Sequence, residues 1–95
     1  MTHKLITAQG TFTIRNDRGL HTRPSTEIVK CTVKYTSEVV LYYRKKRANA
    51  KSLLGILMFA ASKGAKIRVK ATGEDANEAI ESLMELAEKN FNMQY

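Results

Sequence analysis

At 95 residues, 43% of them apolar, the chain has room for one domain around one core, and no apolar run is long enough to span a bilayer. Its single cysteine, Cys31, excludes an internal disulfide and a cysteine-rich metal centre. The net charge of +7 is uneven: residues 1–73 hold 15 basic and 3 acidic side chains, a balance of +12, whereas residues 74–95 hold 1 and 6, a balance of −5. A basic body of this kind favours an acidic partner, whether an acidic protein face or nucleic acid.

Residues 1–10 have no clear periodicity and are expected to form a short mobile tail that includes His3. They carry no long apolar region and no cleavage site, so no signal peptide is expected, and a cytoplasmic protein is. From Thr11 to Asn16 the chain alternates, with Phe12 and Ile14 on one side, and predicts a half-buried strand. Asp17-Arg18-Gly19 is a loop. A helix follows from about Thr22 to Tyr35, with Ile28, Cys31, Thr32 and Tyr35 on one face; Cys31 is read as a small core residue. Glu38 to Arg44 alternates again, with Val39, Leu41 and Tyr43 inward. The Arg44-Lys45-Lys46 turn leads into a short strand over Arg47–Ala50 and, lacking glycine, must be a type that accepts ordinary residues.

Ser52 is a good N-cap for a second helix, and Lys63-Gly64 a good stop. Between them Leu53, Leu54, Ile56, Leu57, Met58 and Phe59 are apolar on nearly every side. A domain this small has little room to bury all of them, so an exposed docking patch is expected. Ala65 to Ala71 is the clearest strand, with Ile67 and Val69 inward and Lys66, Arg68 and Lys70 outward. Asp75 and Glu78 read as a capping box for a third helix, whose stripe is Ala76, Ala79, Ile80, Leu83 and Ala87. Glu78, Glu81, Glu85 and Glu88 face water. The order β-α-β-β-α-β-α supports an α+β sandwich in a single domain over 1–95.

The chemistry concentrates in Gly19-Leu20-His21-Thr22-Arg23-Pro24-Ser25. Pro24, the only proline, belongs in the first turn of a helix, where its missing N–H has no partner to lose. His21 therefore stands at or just before a helix N-terminus. Unpaired N–H groups and the helix dipole make that end an anion site. Arg23 adds a guanidinium fork able to hold two phosphate oxygens. His21 adds a ring nitrogen that is nucleophilic near neutral pH. A phosphoryl-carrying histidine follows from this set; a capping or packing histidine beside an unrelated arginine is the alternative. No Walker loop, metal-ligand cluster or paired carboxylate accompanies it, and Asp17 and Glu27 are the only acids nearby. No metal or cofactor is expected, and the set suits a carrier better than a self-sufficient enzyme.

The seven residues resemble the active-site signature of HPr, the histidine-containing phosphocarrier of the bacterial sugar phosphotransferase system. A second segment, Ala50-Lys51-Ser52-Leu53-Leu54-Gly55-Ile56, resembles that family's regulatory serine site. The likeness runs from about Thr11 to Phe91. Two departures stand out: Thr22 occupies a place usually held by alanine or another small residue, and the Arg44–Arg47 turn lacks the expected glycine. The resemblance implies an open-faced β-sandwich, with an antiparallel sheet in the order 1-4-2-3 and three helices on one face. It implies that His21 takes a phosphoryl group on Nδ1 from enzyme I, ultimately from phosphoenolpyruvate, and passes it to enzyme IIA proteins in sugar uptake. It further implies an HPr kinase/phosphorylase acting on Ser52, and a transcriptional regulator as a further partner. Thr22, Pro24, Lys51, Leu53, Leu54 and Leu57 are the expected docking residues of a monomeric carrier. Two other readings stay open: a regulatory paralogue that signals through Ser52 without sugar transport, and a small basic nucleic-acid-binding module. The basic residues of the latter alternate with core positions, as ordinary solvated strand faces do.

Overall fold

Period-two alternation builds a four-stranded sheet in the computed structural model, which describes residues 5–93. The strands are β1 (Ile6–Thr13), β2 (Glu38–Tyr43), β3 (Lys46–Asn49) and β4 (Lys66–Gly73). Every neighbouring pair is antiparallel, in the order β1-β4-β2-β3. One face carries Phe12, Ile67, Val69, Ala71, Val39, Leu41 and Ala48, all buried. Helices α1 (Thr22–Thr32), α2 (Leu53–Leu57) and α3 (Ala76–Glu88) cover that face, and a 3-10 turn follows at Asn90–Asn92. The other face is open. This is the α+β sandwich expected from the pattern of elements, with the open face and the strand order that the family resemblance implies. No helix among the described residues is long and apolar enough to cross a membrane.

The expected tail over 1–10 is wrong for Ile6–Gly10, which form most of β1 opposite Gly73–Val69; residues 1–4 lie outside the described residues. Small side chains hid the alternation. Ala8 and Gly10 sit on the inner face, and a Cβ on Gly10 would fall 2.8 Å from Met84 Sδ of α3. At its other end β1 stops at Thr13, three residues early, although Ile14 still bonds Ala65 and Gly64 across the gap. Helix α1 likewise stops at Thr32 instead of Tyr35, with Val33 as its last cap. Cys31 is half-buried against the core, and burial pushes its thiol pKa up.

Three turn assignments also change. The β2–β3 hairpin closes on Arg44-Lys45, and Arg44 takes a left-handed φ of 56° that favours glycine. Stacking of its guanidinium 5.1 Å from the Tyr43 ring centre accompanies that conformation. Helix α2 ends at Leu57, well before Lys63-Gly64. Tight turns from Phe59 N–H to the Ile56 carbonyl and from Ala60 N–H to the Leu57 carbonyl stop it, and Ala60 goes left-handed at φ 51°. The turn sinks Phe59 into the core beside Tyr43. Asp75 is the N-cap of α3 as read, its carbonyl accepting from Ala79 N–H at 3.0 Å, but its side chain bonds no N–H of the helix and forms no capping box. Its carboxylate reaches back instead, accepting from the N–H groups of Thr36 and Ser37 at 2.8 and 2.9 Å and from both hydroxyls. The stripe of α3 is as read: Ala76, Ala79, Ile80, Leu83 and Ala87 are all buried. Arg15 caps the far end, donating to the carbonyls of Ala87 and Glu88 at 2.9 and 2.8 Å. Phe91 then closes the core edge-on to Phe12, ring centres 5.5 Å apart.

Candidate functional site

The site begins in a turn. Gly19 N–H donates to the Asn16 carbonyl at 3.1 Å, and the buried Asn16 amide donates to the Gly19 carbonyl at 2.6 Å. Asparagine at the first place of a four-residue turn and glycine at the fourth is a favoured pairing. Gly19 has φ +67°, and a Cβ there would lie 2.1 Å from the Ala61 carbonyl oxygen. Only glycine fits both constraints. The close approach lets Leu20 N–H donate to that same carbonyl at 2.9 Å, with the Leu20 side chain in the core. The loop before α1 is thus tied to the segment that leaves α2.

His21 is the N-cap of α1, with extended backbone (φ −83°, ψ −169°). Its N–H bonds the Gly19 carbonyl at 2.9 Å, and its carbonyl accepts the first helical bond, from Ser25 N–H at 3.2 Å. The imidazole caps nothing and is partly exposed. Helix geometry leaves the N–H groups of Thr22 and Arg23 without intrahelical acceptors, and Pro24 has none to lose. Buried Ser25 fixes the turn from below, its hydroxyl donating to the Leu20 carbonyl at 3.3 Å. Arg23 is exposed and makes no hydrogen bond among the described residues, so its guanidinium can swing toward an anion at the helix start.

The two nearby acids are occupied elsewhere. Asp17 pairs with Lys63 at 3.0 Å. Glu27 accepts from Asn92 at 3.0 Å and Lys30 at 3.3 Å. The Asn92 amide first, and then Lys30, hold its carboxyl below the usual range against the opposing effect of burial. Neither carboxylate is bonded to His21. No cluster of three His, Cys, Asp or Glu side chains suited to a metal occurs among the described residues.

Ser52 is the N-cap of α2, its Oγ accepting from Gly55 N–H at 3.1 Å, as the sequence predicts. Lys51 is tied down: its ammonium donates to the Tyr35 carbonyl at 2.6 Å, just past the end of α1. Thr32 at that end donates to the Ala50 carbonyl at 2.8 Å. Ser52 and His21 therefore sit near opposite ends of α1, whose eleven residues span about 16 Å. Between them α2 presents Leu54 and Met58, 68% and 69% exposed, with Leu53 at 37% and Leu57 partly covered. Of the expected docking residues, Thr22, Leu53 and Leu54 are exposed, Leu57 half so. Pro24 is not available: its ring is fully buried, because it packs the first turn of α1 onto the core. Met58, one of the apolar residues from which an exposed patch is expected but not among the named docking residues, belongs to it, and Asn16 and Ala61, supports of the His21 loop, were missed. The Asn-x-x-Gly turn pattern was the available signal for Asn16; nothing local marks Ala61.

Comparison with known proteins follows the same line. A family model described as "PTS HPr component phosphorylation site" matches residues 8–89. The phosphocarrier protein HPr of Xylella fastidiosa is 40% identical over 81 residues, covering 85% of this chain and 91% of that one. The multiphosphoryl transfer protein of Haemophilus influenzae is 44% identical over 77 residues, 78% of this chain but 15% of its own length. Among solved structures, HPr-C-His from Thermoanaerobacter tengcongensis superposes with a TM-score of 0.86 at 34% identity, covering 93% of this chain and 99% of that one. By sequence along most of its length, and by fold, this chain belongs to the HPr family, the phosphocarrier proteins of the phosphotransferase system.

Proposed function

We propose that His21 is the phosphoryl acceptor of this carrier and Arg23 its main side-chain ligand for the phosphoryl oxygens. The observation that carries the reading is His21 as N-cap with its imidazole partly exposed and uncommitted, over a helix start whose first N–H groups are open. A ring nitrogen, Nδ1 by family likeness, forms a bond to phosphorus while the bond to the donor's leaving atom breaks. Enzyme I, charged from phosphoenolpyruvate, is the donor, and enzyme IIA proteins of sugar uptake are the acceptors; this relay would operate in the cytoplasm. The transition state spreads charge over three equatorial oxygens. The Thr22 and Arg23 amides and the Arg23 guanidinium meet that charge with groups already in place. Asp17 is paired with Lys63, and Glu27 with Asn92 and Lys30, so neither of these carboxylates occupies the imidazole. Thr22 and Arg23 are exposed and His21 partly so, which leaves the phosphoryl group within reach of the next acceptor. Partner proteins would dock on the exposed α2 patch of Leu53, Leu54 and Met58, as a monomeric carrier requires.

Ser52 is proposed as a regulatory phosphorylation site. Its hydroxyl is partly exposed at a helix N-terminus, where a phosphate of about −1.5 to −2 charge is locally favourable and can keep the bond from Gly55 N–H. The new charge would stand beside the apolar docking patch and oppose partner binding. Two experiments test these readings. Charging with enzyme I and phosphoenolpyruvate should yield an acid-labile, base-stable phosphate that His21→Ala abolishes; an unchanged yield in that variant overturns the first. Incubation with an HPr kinase/phosphorylase and ATP should add an acid-stable phosphate that Ser52→Ala abolishes and His21→Ala does not.

A further inference from the structure

The register of the sheet collects charge on the face that the helices leave open. On β4, Lys66, Arg68 and Lys70 point outward opposite Thr13, Thr11 and Gln9 of β1. Arg68 and Lys70 face Tyr42 and Val40 of β2, which in turn face Arg47 and Asn49 of β3. Arg47, Tyr42, Arg68 and Thr11 thus form one row across all four strands, and Asn49, Val40, Lys70 and Gln9 the next. Arg47, Lys66, Arg68 and Lys70 are exposed, and none forms an ion pair within the described residues. Among the described residues of the four strands, Glu38 is the one acid on this face, and it lies opposite Thr72. The Arg68 guanidinium lies 4.7 Å from the Tyr42 ring centre, a planar cation on an aromatic support.

The make-up of this face selects its partner. Protein interfaces are anchored by large apolar side chains at their centre. The exposed ones lie on and just after α2 (Leu53, Leu54, Met58) and after α1 (Val33), with Leu5 beyond the end of β1, outside the rows that carry the cations. The open face offers unpaired cations, uncharged hydrogen-bonding groups from Thr11, Thr13, Gln9 and Asn49, and one stacked pair. Cations that follow a phosphate chain, beside planar groups on which bases stack, are the equipment for single-stranded nucleic acid. We propose that the open face binds single-stranded nucleic acid without sequence preference, through Arg47, Lys66, Arg68 and Lys70, with the Arg68–Tyr42 pair as its stacking platform. This surface is separate from the His21 loop and the α2 patch, so the molecule has two faces for two kinds of partner.

Fluorescence anisotropy of labelled oligo-dT and oligo-U of 16 nucleotides, titrated with the full chain, tests this. Four phosphate contacts give a slope of log affinity against log salt of about −2.8, so binding should weaken about fiftyfold between 50 and 200 mM salt. The double variant Arg68→Glu/Lys70→Glu should bind at least tenfold more weakly at 50 mM, with a slope near about −1.4. Lys66→Gln/Lys70→Gln, which keeps the Arg68–Tyr42 pair and adds no charge, should show the reduced slope too and serves if charge reversal impairs folding. Lys34→Gln, an exposed cation after α1 and outside both sites, should bind as the parent does. The proposal is overturned if the parent does not bind at 50 mM, or if the open-face variants keep its affinity and slope. It is equally overturned if polyglutamate displaces the probe as well as unlabelled oligonucleotide does, which would assign the face to an acidic protein.

Discussion

Replacing Gly19 by alanine tests how the His21 loop is held. Two penalties combine. A φ of +67° costs an alanine about 1–2 kcal/mol. The added Cβ would sit 2.1 Å from the Ala61 carbonyl oxygen, so the loop must retreat and lose the bond from Leu20 N–H to that oxygen. Loss of a buried bond of this kind costs about 1–3 kcal/mol. The total is about 3 kcal/mol, or a fall in Tm of about 12–24 °C for a domain this size. Gly64→Ala is the matched control: φ is +90°, but nothing lies within 4 Å of the new Cβ. It carries the backbone penalty alone, about 1–2 kcal/mol. Thermal unfolding by circular dichroism compares the two. At a temperature where both are folded, Gly19→Ala should also be charged more slowly by enzyme I, because its loop has moved, whereas Gly64→Ala should not. Equal losses of stability in the two variants would refute the claim that the approach to Ala61 holds the loop.

The other predictions concern caps, charge and docking. Arg23→Ala should leave unfolding within about 0.5 kcal/mol of the parent, since the side chain is exposed and unbonded, yet slow phosphoryl transfer by about a hundred- to a thousandfold. Ser52→Ala removes the acceptor for Gly55 N–H and should cost about 1 kcal/mol in urea unfolding, whereas Ser52→Asp, which keeps an acceptor, should cost less. Asp75 has its pKa lowered to about 2, first by the Ser37 hydroxyl and then by the Thr36 N–H. Its folded value is below its unfolded one, so the unfolded chain binds the extra proton between pH about 4 and 2, and this contribution is lost as pH falls through that window. Asp75→Asn should flatten the acid limb of the stability curve there, and an unchanged limb would count against the assignment. Leu54→Asp and Met58→Asp should each raise the KM for enzyme I about tenfold, with Tm unchanged, if α2 is the docking face.

The sequence shows the sheet best where one face is large and apolar, as along β4 with Ile67 and Val69. It shows it worst in β1, where Ala8 and Gly10 leave little apolar signal and Met84 fills the space over Gly10. Pro24 marks the start of α1 because its chemistry permits few other places. The early end of α2 was not visible, since it follows from Phe59 reaching the core beside Tyr43, a contact from another element. The Asp75 carboxylate reads as a cap by local pattern, but Thr36 and Ser37 offered it four donors across the fold. At the candidate site, His21 and Arg23 are legible from local spacing, whereas Asn16 and Ala61 matter through bonds that only the folded loop makes. Lys51 illustrates the limit on charge: a surface lysine by sequence, it is bonded to the Tyr35 carbonyl. The strand cations reverse the case. Each looks like an ordinary solvated position, and only the lateral register gathers Arg47, Arg68 and Lys70 on one open face.

The amide spectrum of the uniformly nitrogen-labelled chain, recorded before and after charging with enzyme I and phosphoenolpyruvate, addresses the carrier chemistry at its source. If a phosphoryl group on His21 is received by the start of α1, the Thr22 and Arg23 N–H signals should move downfield most, together with the His21 ring nitrogens. Shifts centred on Ser52 and Gly55, or a charged protein whose Thr22 and Arg23 amides stay in place, would contradict it.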